Sequence, residues 1–143
     1  MERNLAKIVA LIRQVGTTPV VFKDNAYFEP DLSQCILHKR RGWLPEDKDG
    51  DIPYDFVART QGAVDAIIDR VKATEPQLVV IDPKKIMCDA STCRTYEGNI
   101  AFYKDANHIN TVAARFLAWK YIRQESNPFA KDTASPGYAV NTY

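Results

Sequence analysis

The chain has 143 residues, 45% of them hydrophobic and 26% charged, with a formal net charge of +1. That length and balance suit one ordinary globular domain, and with neither acid nor base in excess they argue against a nucleic-acid or membrane-surface partner. The longest apolar runs, such as "IVALI" (8–12), fall far short of the roughly 18 residues that a membrane-spanning helix needs. "MERN" at the start lacks the basic region of a signal peptide.

The first element is helical. In "LAKIVALIRQV" (5–15), Leu5, Ile8, Val9, Ile12 and Val15 recur at the spacing of an amphipathic helix, and Gly16 stands where such a helix ends. "TPVVF" (18–22) follows as a short β-branched strand. Residues 24–53 are irregular, with Pro30, Gly42, Pro45, Gly50 and Pro53. Within them, "HKRRGW" (38–43) reads as a solvated basic loop. "PEDKDGD" (45–51) lacks the spaced ligands and terminal glutamate of a calcium-binding loop.

A second helix spans residues 54–73, with Phe56, Val57, Ala63, Val64, Ile67, Ile68 and Val71 facing a core, and Glu75-Pro76 stops it. "LVVI" (78–81) is a second buried strand, closed by Asp82-Pro83. Two apolar strands joined by a helix predict a parallel crossover. A loop with Cys88 and Cys93 comes next, then an extended piece "NIAFY" (99–103). The last helix covers about 111–123, with Val112, Phe116, Trp119 and either Tyr121 or Ile122 on its buried side. Asn110 is placed to cap it. The polar tail 124–143, broken by Pro128, Pro136 and Gly137, reads as flexible.

Three cysteines bear on compartment. Cys88 and Cys93 form a C-x4-C pair, with Cys35 far away as a free thiol. The pair predicts a local disulfide and hence an oxidising compartment. A zinc site built from Cys88, Cys93, Asp89 and His108 is the alternative, although no metal or other cofactor is expected.

The segment "YKDANHIN" (103–110) holds the candidate chemistry. Asp105 and His108 sit three apart in a turn that leads into the last helix. At that spacing Asp105 reaches the imidazole Nδ1, fixes the tautomer, and leaves Nε2 to act as a base. The plain alternative is a pair that only decorates the start of a helix. In parallel α/β folds, reactive groups gather in loops beyond the carboxyl ends of the strands, which is where this segment falls.

The order of strand "LVVID", the paired cysteines, "NIAFYKDANHIN" and an Ala-rich helix resembles the C-terminal part of SGNH-type (GDSL-like) esterase and acyltransferase domains. More narrowly, it resembles the SGNH domain fused to integral-membrane acyltransferases that O-acetylate bacterial surface polysaccharides. Their paired-cysteine loop precedes a Y-x-D-x-x-H-L-S block, matched here except that Ile109 replaces leucine and Asn110 replaces serine. "PDLSQCILHKR" (30–40) is similar to a family segment after an earlier strand.

The resemblance implies a three-layer α/β/α fold with a parallel sheet. It implies His108 as catalytic base and Asp105 as its orienting acid, with an acyl donor and a saccharide acceptor as partners in a periplasmic or other extracytoplasmic setting. The family's Gly-Asp-Ser nucleophile block is absent. "GDIP" (50–53) has Ile52 where the serine belongs, and the oxyanion-hole glycine and the Gly-x-Asn-Asp asparagine are missing too. Ser33, Ser91, Ser126 and Ser135 do not follow a strand in a nucleophile turn; Ser91, between the cysteines, comes nearest. The expectation is therefore that residues 1–123 are the C-terminal portion of such a domain. The serine block would lie in a missing N-terminal half, near a membrane acyltransferase domain, and the incomplete sheet would expose an unpaired edge. A non-catalytic α/β binding module is the competing reading.

Overall fold

The apolar spacing of the first segment winds it into helix α1 (Glu2–Gln14). Gly16 ends it: its φ of +74° suits a residue without a Cβ, and its amide donates to the Arg13 carbonyl at 2.9 Å. This is a computed structural model, and it describes residues 1–27, 50–125 and 127–129. The elements after α1 are β1 (Val20–Phe22), β2 (Ile52–Pro53), α2 (Tyr54–Thr74), β3 (Val79–Ile81) and the short α3 (Lys84–Met87). Then come β4 (Thr92–Cys93), β5 (Tyr96–Glu97), β6 (Ile100–Ala101) and α4 (Thr111–Gln124). Cys35, the basic loop, "PDLSQCILHKR" and the tail beyond Phe129 lie outside the described residues, as does nearly all of "PEDKDGD".

The two apolar strands pair as expected. β1 runs parallel to β3, with Val20 opposite Val79, Val21 opposite Val80 and Phe22 opposite Ile81. Alternation along the strands divides the interior. Val20, Val79 and Ile81 join a cluster with Phe102 and the α4 residues Ala113, Leu117 and Tyr121. Val21 and Val80 pack on the other side against Val9 of α1, Val71 and Leu78. Helices thus cover both faces of the parallel pair.

The architecture is α/β, but the sheet is not uniformly parallel. Among the described residues the only parallel ladder is β1–β3. β2 pairs antiparallel with β4, and β5 with β6 around a turn at Gly98, whose φ is +55°. These two-residue ladders wrap the cysteine loop and the segment leading to Asp105. They are too short to show an alternating apolar pattern in sequence.

Three further expectations are corrected. Ile52, in the stretch read as irregular, is fully buried in β2, opposite Cys93. On α4 the buried stripe is Ala113, Leu117 and Tyr121, while Val112, Trp119 and Ile122 are exposed. Phe116, stacked on Phe102 at 6.2 Å, is partly buried beside that stripe and not at its centre. On α2, Val57, Ile68 and Val71 are buried, but Ala63 and Val64 face outward. No helix among the described residues is long and apolar enough to cross a membrane.

The α4 register gives a direct test. Leu117→Ala removes a buried side chain and should cost about 2–5 kcal/mol in chemical denaturation. Val112→Ala, on the exposed face, should stay within about 0.5 kcal/mol. Equal losses would show that the helix is seated on the wrong face.

Candidate active site

The turn from Tyr103 to Ile109 is built before it is chemical. Tyr103 and Ile109 form an antiparallel bridge, and the Lys104 amide donates to the His108 carbonyl at 2.9 Å. Inside that closure Asp105 makes an Asx-type turn. Its Oδ1 accepts the His108 amide at 2.8 Å and the Asn107 amide at 3.2 Å. Asn110 follows as the helix cap. Its side-chain oxygen accepts the Ala113 amide at 2.9 Å, and its Nδ2 donates to the Ala101 carbonyl at 2.6 Å. Strand β6 and helix α4 are thereby held on either side of the turn.

The same carboxylate grips the imidazole. His108 Nδ1 lies 2.9 Å from Asp105 Oδ1 and 3.0 Å from Oδ2. A carboxylate only accepts hydrogen bonds, so Nδ1 carries the proton and Nε2 of the neutral ring keeps its lone pair. The Asp105 carboxyl is held below its usual range. The His108 backbone amide is the main cause; partial burial opposes it, and the Asn107 amide and the imidazole add to it. Both side chains are open to solvent, 48% for Asp105 and 64% for His108.

A third residue joins this turn to the end of β1. Asn25, three residues past the strand, donates from Nδ2 to the Asn107 carbonyl at 3.1 Å and to Ala26 O at 3.2 Å. Tyr103, buried beneath, donates its hydroxyl to the Ala26 carbonyl, and burial pushes its pKa up. Gln61 on α2 donates to the Asn25 carbonyl at 2.8 Å. The Asp-His pair therefore sits at the carboxyl end of β1, where α/β folds place their chemistry. Sequence reasoning overlooked Asn25. Its signal was its position, a polar residue just beyond an apolar strand.

Nearby polar groups serve other ends. Lys84 Nζ donates to Asp24 O at 2.6 Å and pairs with Asp65 at 3.2 Å. Lys23 pairs with Asp69 at 2.7 Å. Burial alone would lower the Lys23 pKa, but the Asp69 hydrogen bond and the fields of Asp82, Asp69 and Asp65 raise it. Lys23, Asp65, Asp69, Asp82 and Lys84 line a cleft of about 630 Å³ between α2 and the β3–α3 corner; neither Asp105 nor His108 lines it.

Cys88 and Cys93 form a disulfide, S–S 2.06 Å. Disulfide sulfurs are not thiolates, so the zinc alternative loses two of its four ligands. Ser91 within the bridged loop is exposed, and its hydroxyl donates to Asp89 Oδ1 at 2.9 Å. Asp89 also accepts the Thr92 and Ser91 amides, which bring its pKa to about 2. Ser91 is thus a turn residue whose hydroxyl bonds to a carboxylate and not to a base. Ser33, Ser126 and Ser135 lie outside the described residues.

A family model described as "SGNH domain (fused to AT3 domains)" matches residues 2–123. Comparison with curated proteins and with solved structures gave no match.

The bridge stiffens the loop that pairs with β2. Its ring is small, so loop-closure entropy assigns it roughly 2 kcal/mol. The double variant Cys88→Ser, Cys93→Ser should lose about that much in urea denaturation while keeping a native circular dichroism spectrum. An unchanged stability would mean that the ladder holds the loop without the bond.

Proposed function

Because the chain belongs to the family of SGNH domains fused to AT3 domains, we propose that it carries the acid–base half of a Ser-His-Asp acyl-transfer site. His108 is the base, Asp105 its orienting acid, and the serine comes from a segment outside these 143 residues. The observation that carries this reading is the double contact of Asp105 with His108 Nδ1, at 2.9 and 3.0 Å.

The chemistry follows from that contact. Nε2 takes the proton of the serine hydroxyl as its oxygen attacks an acyl carbonyl. Asp105 stabilises the imidazolium that forms. As the tetrahedral intermediate collapses, His108 returns the proton to the leaving group and the acyl group stays on serine as an ester. A hydroxyl of the acceptor, deprotonated in turn by Nε2, then attacks the acyl carbonyl; the serine ester bond breaks and His108 returns the proton to the departing serine oxygen. The acceptor we propose is a surface polysaccharide and the product an O-acetyl ester; water in its place would give an esterase. The Cys88–Cys93 bridge supports an oxidising, extracytoplasmic setting for the parent protein, beside its membrane acyltransferase domain.

One observation favours a second reading, a non-catalytic binding module. Asp105 would accept the His108 and Asn107 amides whether or not the imidazole did any chemistry.

Activity separates the two. A serine triad without its serine falls by several orders of magnitude. The 143-residue chain alone should therefore not hydrolyse a nitrophenyl acetate above background. The parent protein with its serine block should be active, and His108→Ala should abolish that activity while Asp105→Ala has a milder effect. His108-dependent turnover by the isolated chain would refute the divided site, and an active parent indifferent to His108→Ala would favour the module.

A further inference from the structure

Helix α2 carries a polar residue inside its buried stripe. Val57, Gln61, Ile68 and Val71 are its buried side chains, and they fall on one face of the helix. Gln61 is 5% exposed. A buried polar side chain is the exception that asks for a cause. Only one end of this amide has a partner. Its Nε2 donates to the Asn25 carbonyl at 2.8 Å, whereas its buried Oε1 accepts from no donor among the described residues. Drying an acceptor without a partner costs as much as, or more than, one ordinary hydrogen bond returns. Stability therefore does not account for Gln61.

The one bond it makes leads to the histidine turn. The carbonyl that Gln61 holds belongs to Asn25, and the side chain of that same residue donates from Nδ2 to the Asn107 carbonyl at 3.1 Å. Asn107 directly precedes His108. Asn25 Nδ2 also reaches the Ala26 carbonyl at 3.2 Å, which the Tyr103 hydroxyl holds as well. Tyr103 closes the base of the turn through its bridge to Ile109. The Asp105 contacts orient the imidazole within the turn. Where the turn stands against the carboxyl end of β1 depends on bonds that leave it, and Asn25 supplies the one that reaches Asn107.

We propose that Gln61 is a positioning residue: through Asn25 it fixes the place of the Asp105–His108 turn against the carboxyl end of β1, at a cost to the stability of the fold. This rests on the reading of His108 as the base. Misplacing a reacting group by about 1 Å can cost about a hundredfold in rate. The His108 side chain, 64% exposed, has little packing of its own to place it. A glutamine that merely pinned the chain after β1 for stability would show the opposite energetics, because replacing it would then weaken the fold.

The experiment uses the full 143-residue chain and reads two quantities, the urea midpoint and the nitrogen-15 order parameters of the Asn107 and His108 amides. Gln61→Met removes the donor and the unpartnered oxygen together and keeps an unbranched side chain of similar length. The midpoint should hold or rise, while the two order parameters fall from about 0.85 toward 0.6. Asn25→Ala, which leaves α2 untouched, should loosen the same two amides. The double variant should loosen them no further than either single one, since both cut one path. In the parent protein with its serine block, Gln61→Met should lower kcat for nitrophenyl acetate about tenfold or more with KM held. Amides that stay rigid in Gln61→Met or in Asn25→Ala overturn the proposal, as does a double variant whose effects add. A chain that Gln61→Met unfolds or destabilises overturns it too, because the residue then serves the fold. A parent whose turnover ignores His108→Ala refutes the base reading, and with it any catalytic use of the tie, even where the order parameters fall as expected.

Discussion

Three residue pairs, Val20–Val79, Val21–Val80 and Phe22–Ile81, set the geometry of everything else. Their parallel register sends alternate side chains to two separate apolar clusters, one under α4 and one under α1. It also fixes which way the strands point. Both run toward the end where Asn25, Asp82 and Lys84 lie. A slip of one residue would exchange the two clusters and turn every apolar side chain to the wrong face. The crossover through α2 is what such parallel pairing demands, since a short turn cannot return a chain to the same direction.

The second organising feature is that one carboxylate does two jobs. Asp105 closes the turn through the amides of Asn107 and His108, and it holds Nδ1 of the same histidine. A group used this way needs little extra packing to be well oriented, because the backbone it orders is the backbone that carries the histidine. That explains how a pair so open to solvent keeps a fixed geometry. It also explains why Asn110 matters beyond capping α4: its second bond, to Ala101 O, ties the far side of the turn to β6. The pair has the geometry that we propose for the base and orienting acid of a serine triad, and the chain's membership of the SGNH family supports that reading.

Much of this was legible in the residues. Helices α1, α2 and α4 were marked by three- and four-residue apolar spacing, with Gly16, Pro76 and Asn110 at their ends. The parallel strands were short β-branched runs. Asp105 and His108 stood out because the two residue types fall at a spacing one turn can bridge. What stayed hidden depended on contacts distant in sequence. Ile52 looks like part of a charged loop because its neighbours are Asp51 and Pro53, and only its ladder with Cys93 makes it core. On α4 the larger residues Val112 and Trp119 are exposed, and the small Ala113 is the one that is fully buried. The tie from Asn25 to Asn107 spans 82 positions, and no local pattern announces it.

The central claim is that Asp105 sets the protonation pattern of His108 and leaves Nε2 free to take a proton. Nitrogen-15 chemical shifts of the His108 ring, read near pH 9 where an ordinary imidazole is neutral, test it most directly. The account predicts the Nδ1–H tautomer in the native chain and a shift toward Nε2–H in Asp105→Ala. A native ring protonated at Nε2, or a tautomer balance that ignores Asp105→Ala, would contradict it.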